Sequence, residues 1–335
     1  MSKQKNLSIE TLRGIAILLV VIGHVIGSTP SGGMKIDFPH PLRYLYLWID
    51  YIQMPLFTAI AGWVYALKPF SPVAGFGAFV RKKAMRLLVP MVAVGTLYFL
   101  VQYLMPGTNQ KGELSQMWRI YIFPYTIYWY LPSLFLIFVI QWWIDWWKGM
   151  ENIKQWGICL LIAYLLYLAE KYILLESVPN IFSFKGALNQ LPYFLVGVGV
   201  NRFGILLCRT REWVLCTIFV IIGIVLLQME WFYHLNETKW YEILQPIWIF
   251  ATLLLFLLLH FKNCFLCWVG SYAYSIYLFH GFATSGGRIL LKMMGINAII
   301  PIFLIATFMA IFFPIVLDWI CSHFKIFRII FLGKR

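Results

Sequence analysis

Apolar stretches long enough to cross a bilayer recur along the whole chain, the first over residues 12–29 and the last over 297–320. A hydrocarbon core about 30 Å thick takes roughly 20 residues of α-helix. Inside it every backbone N–H and C=O must be satisfied by protein, and only helices and closed barrels achieve that. A barrel shows short segments of alternating hydrophobicity, whereas these runs are continuous. The expected fold is therefore all-α and polytopic. Composition agrees: 61% of the 335 residues are apolar and 12% are charged, against about half and a quarter in soluble domains.

Ten transmembrane spans are expected, at 12–29, 43–66, 86–105, 126–146, 155–175, 188–203, 212–230, 241–260, 264–282 and 297–320. The sixth carries Asn189, Gln190 and Pro192, groups a span tolerates where it faces protein or a water-filled cavity. With the N-terminus inside, the inner segments hold 18 of the 27 Lys and Arg. That is the bias of the positive-inside rule, and it sets both termini in the cytoplasm.

The net charge of +14 belongs to those flanks. The basic residues form no stripe beside exposed aromatics, so no nucleic acid is expected as a partner. No cleavage site follows the first apolar run, which reads as a retained helix. With no internal repeat and no appended soluble domain, residues 1–335 read as a single membrane-embedded domain surrounded by lipid. Among the six cysteines, Cys264 and Cys267 form a C-x-x-C, but no second pair or nearby His completes a metal site. They read as structural, and no metal is expected.

The first span contains RGIAILLVVIGH, Arg13 to His24. Eleven residues turn a helix through about 1100° and advance it by about 16 Å, so the two side chains share a face to within about 20°. One face thus carries a fixed cation near the inner surface and a titratable base beyond the midplane. Ionisable residues in a span usually face the bundle interior and mark a substrate path. The plainer alternatives are that Arg13 snorkels to head groups and that His24 makes an interhelical hydrogen bond.

IETLRGIAILLVVIGH closely resembles the first-helix signature of membrane-bound acyltransferase family 3, an Arg and a His separated by ten residues. Glu10 stands where that family usually has Asp. Further resemblances follow in order. YIQMPLFTAIAGW, from Tyr51, is similar to the second-helix pattern, with Gln53 where fucose-acetylase-like members have His. RKKAMRLLVP, from Arg81, resembles the basic cluster before the third helix, as Lys83-x-x-Arg86. YWYLPSLF, from Tyr128, resembles the Trp-Phe-Leu stretch of the fourth helix, and WVGSYAYSIYLFH, from Trp268, the late signature that ends in His280.

The resemblance implies an integral-membrane O-acyltransferase of the fucose-acetylase or polysaccharide O-acetyltransferase branch, in a bacterial cytoplasmic membrane. Its donor would be acetyl-CoA or another acyl-CoA, and its acceptor a hydroxyl on a glycan or lipid-linked saccharide. His24 would be the catalytic group, as general base or as acyl acceptor. Arg13, Lys83 and Arg86 would hold the phosphates of CoA. His280 is expected at the outer end of the ninth span, with Tyr277 one turn away orienting a hydroxyl. Trp129, with Tyr130, is a candidate sugar platform, and Asp50 a carboxylate that orients a histidine.

His40, His234, His260 and His323 read as surface groups. Acceptor recognition would fall to the short outer loops 28–42, 105–125, 231–240 and 283–296. The alternative function is a transporter or flippase for a lipid-linked sugar, against which stands the lack of repeats and of paired broken helices. A membrane scaffold is the third reading.

Overall fold

A computed structural model describes residues 6–334 apart from 69, 73–74, 109–111, 175–176, 208–209 and 234–238. Cys208, His234, Lys111 and Arg209 therefore lie outside the described residues. Those described form helices and turns with no strand. In order the helices are α1 (Leu7–Ile26), α2 (Pro41–Ala66), α3 (Gly75–Leu104), the single turn α4 (Arg119–Ile122), α5 (Tyr130–Trp146), α6 (Ile153–Tyr172) and α7 (Phe184–Leu207). They continue with α8 (Thr210–Tyr233), α9 (Lys239–Leu258), α10 (Cys264–Ser271), α11 (Ala273–Met293), α12 (Ile299–His323) and α13 (Lys325–Leu332).

Each of the ten expected spans coincides with one of these helices, or with the pair α10–α11. Six stretches are long and apolar enough to cross a membrane: Leu7–Ile26, Gly75–Leu104, Leu114–Trp146, Ile153–Tyr172, Trp213–Tyr233 and Ile299–His323. The polar remainder sits inside. Helices α2, α7 and α11 bury Arg43, Gln53, Gln190, His280 and Arg288. α1 is central, with 67% of its apolar window buried, against 17% in α6 and in α8. The outer helices turn Ile158, Leu161, Leu165, Ile221 and Ile222 outward, as lipid-facing helices do.

Lipid tails are as apolar as Leu, so burial of apolar area does not by itself drive helices together in a bilayer. Close backbone approach at small residues and buried hydrogen bonds do. Two glycine crossings show this. A Cβ on Gly14 of α1 would stand 2.0 Å from the Leu266 carbonyl oxygen of α10, and one on Gly270 would stand 1.9 Å from that of Glu10. At the α2–α7 crossing a Cβ on Gly197 would lie 1.8 Å from the Ala59 oxygen.

Two expectations about span ends are corrected. The ninth span is broken at Tyr272, whose φ of −103° and ψ of 4° leave the helical region. It then continues to Met293, past the expected end at 282. The expected loop 283–296 is thus mostly helix. Arg288, within that stretch, is buried. His280 accordingly lies near the middle of α11 and not at its outer end.

The loop between α1 and α2 is compact for a reason the sequence reading missed. Arg43, only 2% exposed, donates to the carbonyls of Gly27, Ile36 and Thr29 at 2.6, 2.8 and 2.6 Å. It meets the unpaired, negative carbonyl end of α1 and draws the chain across it. Gly27 itself has φ +95°, a conformation that excludes most side chains.

Candidate active site

His24 lies in the last turn of α1 and His280 in α11. The Gly14–Gly270 crossing sets α1 hard against the α10–α11 unit, and the two imidazoles meet with ring centroids 5.1 Å apart and planes inclined by 39°. His24 is half-buried and His280 fully enclosed. Nδ1 of His280 lies 3.0 Å from the Ile276 carbonyl and 2.9 Å from that of Tyr277. Both partners only accept, so Nδ1 carries the proton and Nε2 is left as a bare acceptor. That Nε2 is buried and has no hydrogen-bond partner among the described residues. Buried polar atoms are seldom left so without a role.

On the other side of α1, Gln53 of α2 fills the space that Gly23 leaves: a Cβ on Gly23 would come within 2.8 Å of Gln53 Oε1. Gln53 Nε2 donates to Asp50 Oδ1 at 3.0 Å, while its Oε1 is a second buried acceptor without a partner among the described residues. Asp50 also accepts from the Tyr46 hydroxyl at 2.9 Å. Both groups that bond Asp50 come from its own helix and neither is a histidine, so this carboxylate does not orient His24 or His280 by direct contact. It stands exposed, one turn from Gln53.

Tyr277 is fully buried and donates its hydroxyl to the Ile127 carbonyl, while the Tyr128 hydroxyl donates to the Leu278 carbonyl at 2.9 Å. This reciprocal pair locks the turn Thr126–Trp129 to α11, so the Tyr277 proton is already committed. Its ring still lies 6.2 Å from that of His280. Behind it Tyr130 and Gln190 converge on the Thr58 hydroxyl at 3.2 and 3.0 Å. Trp129 is half-buried and packs against α7, where a Cβ on Gly186 would meet its ring at 2.9 Å.

The basic residues separate into three environments. Arg13 pairs with Glu10 one turn before it, at 2.9 Å. Lys83 points inward, its ammonium 3.2 Å from the centre of the Phe138 ring and flanked by Phe79 and Tyr65 at 5.5 and 5.8 Å, a cation held by aromatic faces. Arg81, Lys82 and Arg86 line an open cavity of about 980 Å³ together with Ile329, Gly333 and Lys334. Tyr274 links that wall to α11, since its hydroxyl donates to the Arg86 carbonyl. His280 follows six residues later, about 9 Å along the helix axis.

The sequence reading missed Lys334, Arg43 and the orphaned acceptor of Gln53. A signal existed for the first, because KIFRIIFLGK alternates basic and apolar residues as an amphipathic helix does. Of the remaining histidines, His40 caps α2 by accepting from the Leu42 amide, and His260 and His323 bond carbonyls at the surface.

A helical bundle with spans apolar enough to cross a membrane, a pair of adjoining imidazoles and a basic cavity about two helical turns away defines an integral-membrane protein. The chain belongs to membrane acyltransferase family 3: the family's profile, described as an acyltransferase domain, matches residues 6–319. No curated protein and no solved structure matches the chain. The protein is thus an acyltransferase embedded in a membrane.

Proposed function

We propose that this acyltransferase moves an acyl group, acetyl by preference, from cytoplasmic acyl-CoA to a hydroxyl on an extracytoplasmic or lipid-linked glycan. The setting is the inner membrane of a bacterium. The observation that carries the reading is the imidazole pair, 5.1 Å apart, with Nε2 of His280 bare and buried. His24 acts as general base: it takes the proton as the acceptor oxygen attacks the thioester carbonyl carbon. The tetrahedral intermediate collapses, the C–S bond breaks, and the departing thiolate regains a proton from His24 as CoA. His280 is a positioning residue whose ring packs against that of His24, with its bare Nε2 available as an acceptor when a hydroxyl enters the site. One-step transfer is preferred over an acyl-histidine because it needs no second positioning of the acyl group.

Donor binding rests on charge. Arg81, Lys82 and Arg86 face an open cavity, which suits the CoA phosphates better than Lys83, enclosed by rings, or Arg13, paired with Glu10. From there the extended pantetheine arm runs along the bundle, and the roughly 16 Å between the levels of Arg13 and His24 is comparable to its length. Exposed Asp50, with Gln53 behind it, supports an acceptor side near the end of α1, since both offer acceptors to hydroxyl donors. Membership of an acyltransferase family favours this reading over transport of a lipid-linked sugar.

The test is label transfer from radioactive acetyl-CoA into extracted host glycans, using membranes with matched protein levels. Label with the wild type and none with His24→Ala is the expected result. Equal labelling of both would sink the mechanism, and no label with either would sink the donor and acceptor assignments.

A further inference from the structure

Helix α13 lies beyond residues 6–319, so what it does is not carried by the family match. One face of it is built into the protein. Leu332 is 1% exposed. Gly333 adopts the left-handed conformation, φ +59°, and sits so close to α3 that a Cβ would come within 2.7 Å of the Arg86 carbonyl oxygen. The opposite face shows Ile326, Phe327 and Ile330 to the outside. The segment is therefore fixed against α3 with an apolar back, and Ile329, Gly333 and Lys334 line the basic cavity.

That cavity holds four cations, Arg81, Lys82, Arg86 and Lys334. Among the described residues none of the first three is ion-paired to a carboxylate. Lys334 alone has one, with its Nζ 2.5 Å from Asp318 Oδ1. Asp318 is buried and takes the Ser275 hydroxyl on the same oxygen, so it remains satisfied in part when Lys334 leaves. A volume of about 980 Å³ is at the upper end of the range for small-molecule sites. Like charges facing one hollow repel, and a ligand with several anionic oxygens relieves them all together.

We propose that α13 is a wall of a phosphate-binding site and that Lys334 is one of its ligands, moving from Asp318 to phosphate when the site fills. The ligand class is a phosphate ester, and the source we infer is the nucleotide end of the acyl donor, which rests on the reading above. An anionic lipid head group shares the chemistry and is separated by the test.

The probe is adenosine 3′,5′-bisphosphate, titrated calorimetrically into the full chain in nanodiscs of neutral lipid, with thermal unfolding recorded for each variant. Lys334→Ala is expected to weaken binding about tenfold, the loss of one charge-assisted contact. Lys334→Arg should stay near the wild type, and Arg119→Ala, on a distant turn, should change nothing. Asp318→Asn keeps an acceptor for Ser275 and frees Lys334, so it should bind as well as the wild type or better. A purely structural role for the ion pair predicts the opposite, Asp318→Asn failing together with Lys334→Ala.

Equal binding by wild type and Lys334→Ala overturns the proposal. So does a wild type that neither binds the probe nor is stabilised by anionic lipid. Stabilisation by phosphatidylglycerol alone, lost in Lys334→Ala, keeps the phosphate site and removes the nucleotide. Because binding is read without turnover, a wild type that binds the probe but transfers no label separates failure of the acyl-transfer reading from failure of this one.

Discussion

His280 shows how one buried atom constrains a site. Two carbonyls hold the proton on Nδ1, and the opposite nitrogen is left bare in a place closed to bulk water. A positioned base or its partner contributes about 10²–10⁴-fold to a rate. His280→Ala is expected to lower kcat within that range and to alter the pH profile of transfer, while KM for acetyl-CoA stays unchanged. His280→Gln, which keeps an acceptor at a similar reach on a more flexible arm, should recover part of the loss. A matched fall in kcat and protein level, with no change in the profile, would make the residue structural. The stability cost of the Ala variant is modest, because Ile276 and Tyr277 keep their helical hydrogen bonds.

Elements meet here through glycines. Gly14 belongs to the Arg-Gly pair of the first-helix signature, and its place at the α1–α10 crossing explains why no larger residue fits. Gly14→Ala would press a methyl group into the Leu266 backbone, which cannot give as a flexible side chain does. Overpacking of this kind costs about 1–3 kcal/mol and would part His24 from His280. Loss of transfer together with a lower Tm is the expected outcome. Gly157 on α6 is the contrast: among the described residues nothing lies within 4 Å of its Cβ position. Gly157→Ala should raise stability by about 1 kcal/mol from helix propensity alone, with activity unaltered. Comparing the two melting curves checks both.

At the scale of the whole molecule, a buried cluster ties three helices. Arg202 of α7 grips Asp145 of α5 through two hydrogen bonds of 2.7 and 2.9 Å, and Tyr65 of α2 donates to the same carboxylate at 2.7 Å. Breaking such a pair from one side strands the other charge, at a cost of about 3–5 kcal/mol. Asp145→Ala is expected to lower Tm sharply in detergent and to shorten the lifetime of the folded protein. Asp145→Asn, which keeps the acceptor for Tyr65, should lose less. Orientation has its own measurement. On a cysteine-depleted background, Ser31→Cys should react with an impermeant thiol reagent from outside, and Glu151→Cys only from the cytoplasmic side. The reverse pattern would invert the topology.

Most of the helical plan was legible in the chain. A bilayer demands local satisfaction of the backbone, so the length and polarity of each run carry the information, and each of the ten spans met a helix. The Arg13–His24 face was legible for the same reason, since helical phase is local. What the sequence left open was everything set by how helices cross. Phase alone did not reveal that His280 turns towards His24, or that Arg43 folds back onto the end of α1. Lys83 entering an aromatic cage while Arg81 and Lys82 line a cavity was equally hidden, and so was the part that Lys334 takes in lining it from about 250 residues away. Those outcomes depend on crossings held by Gly14, Gly270 and Gly197, where two distant backbones touch and no local pattern records the partner.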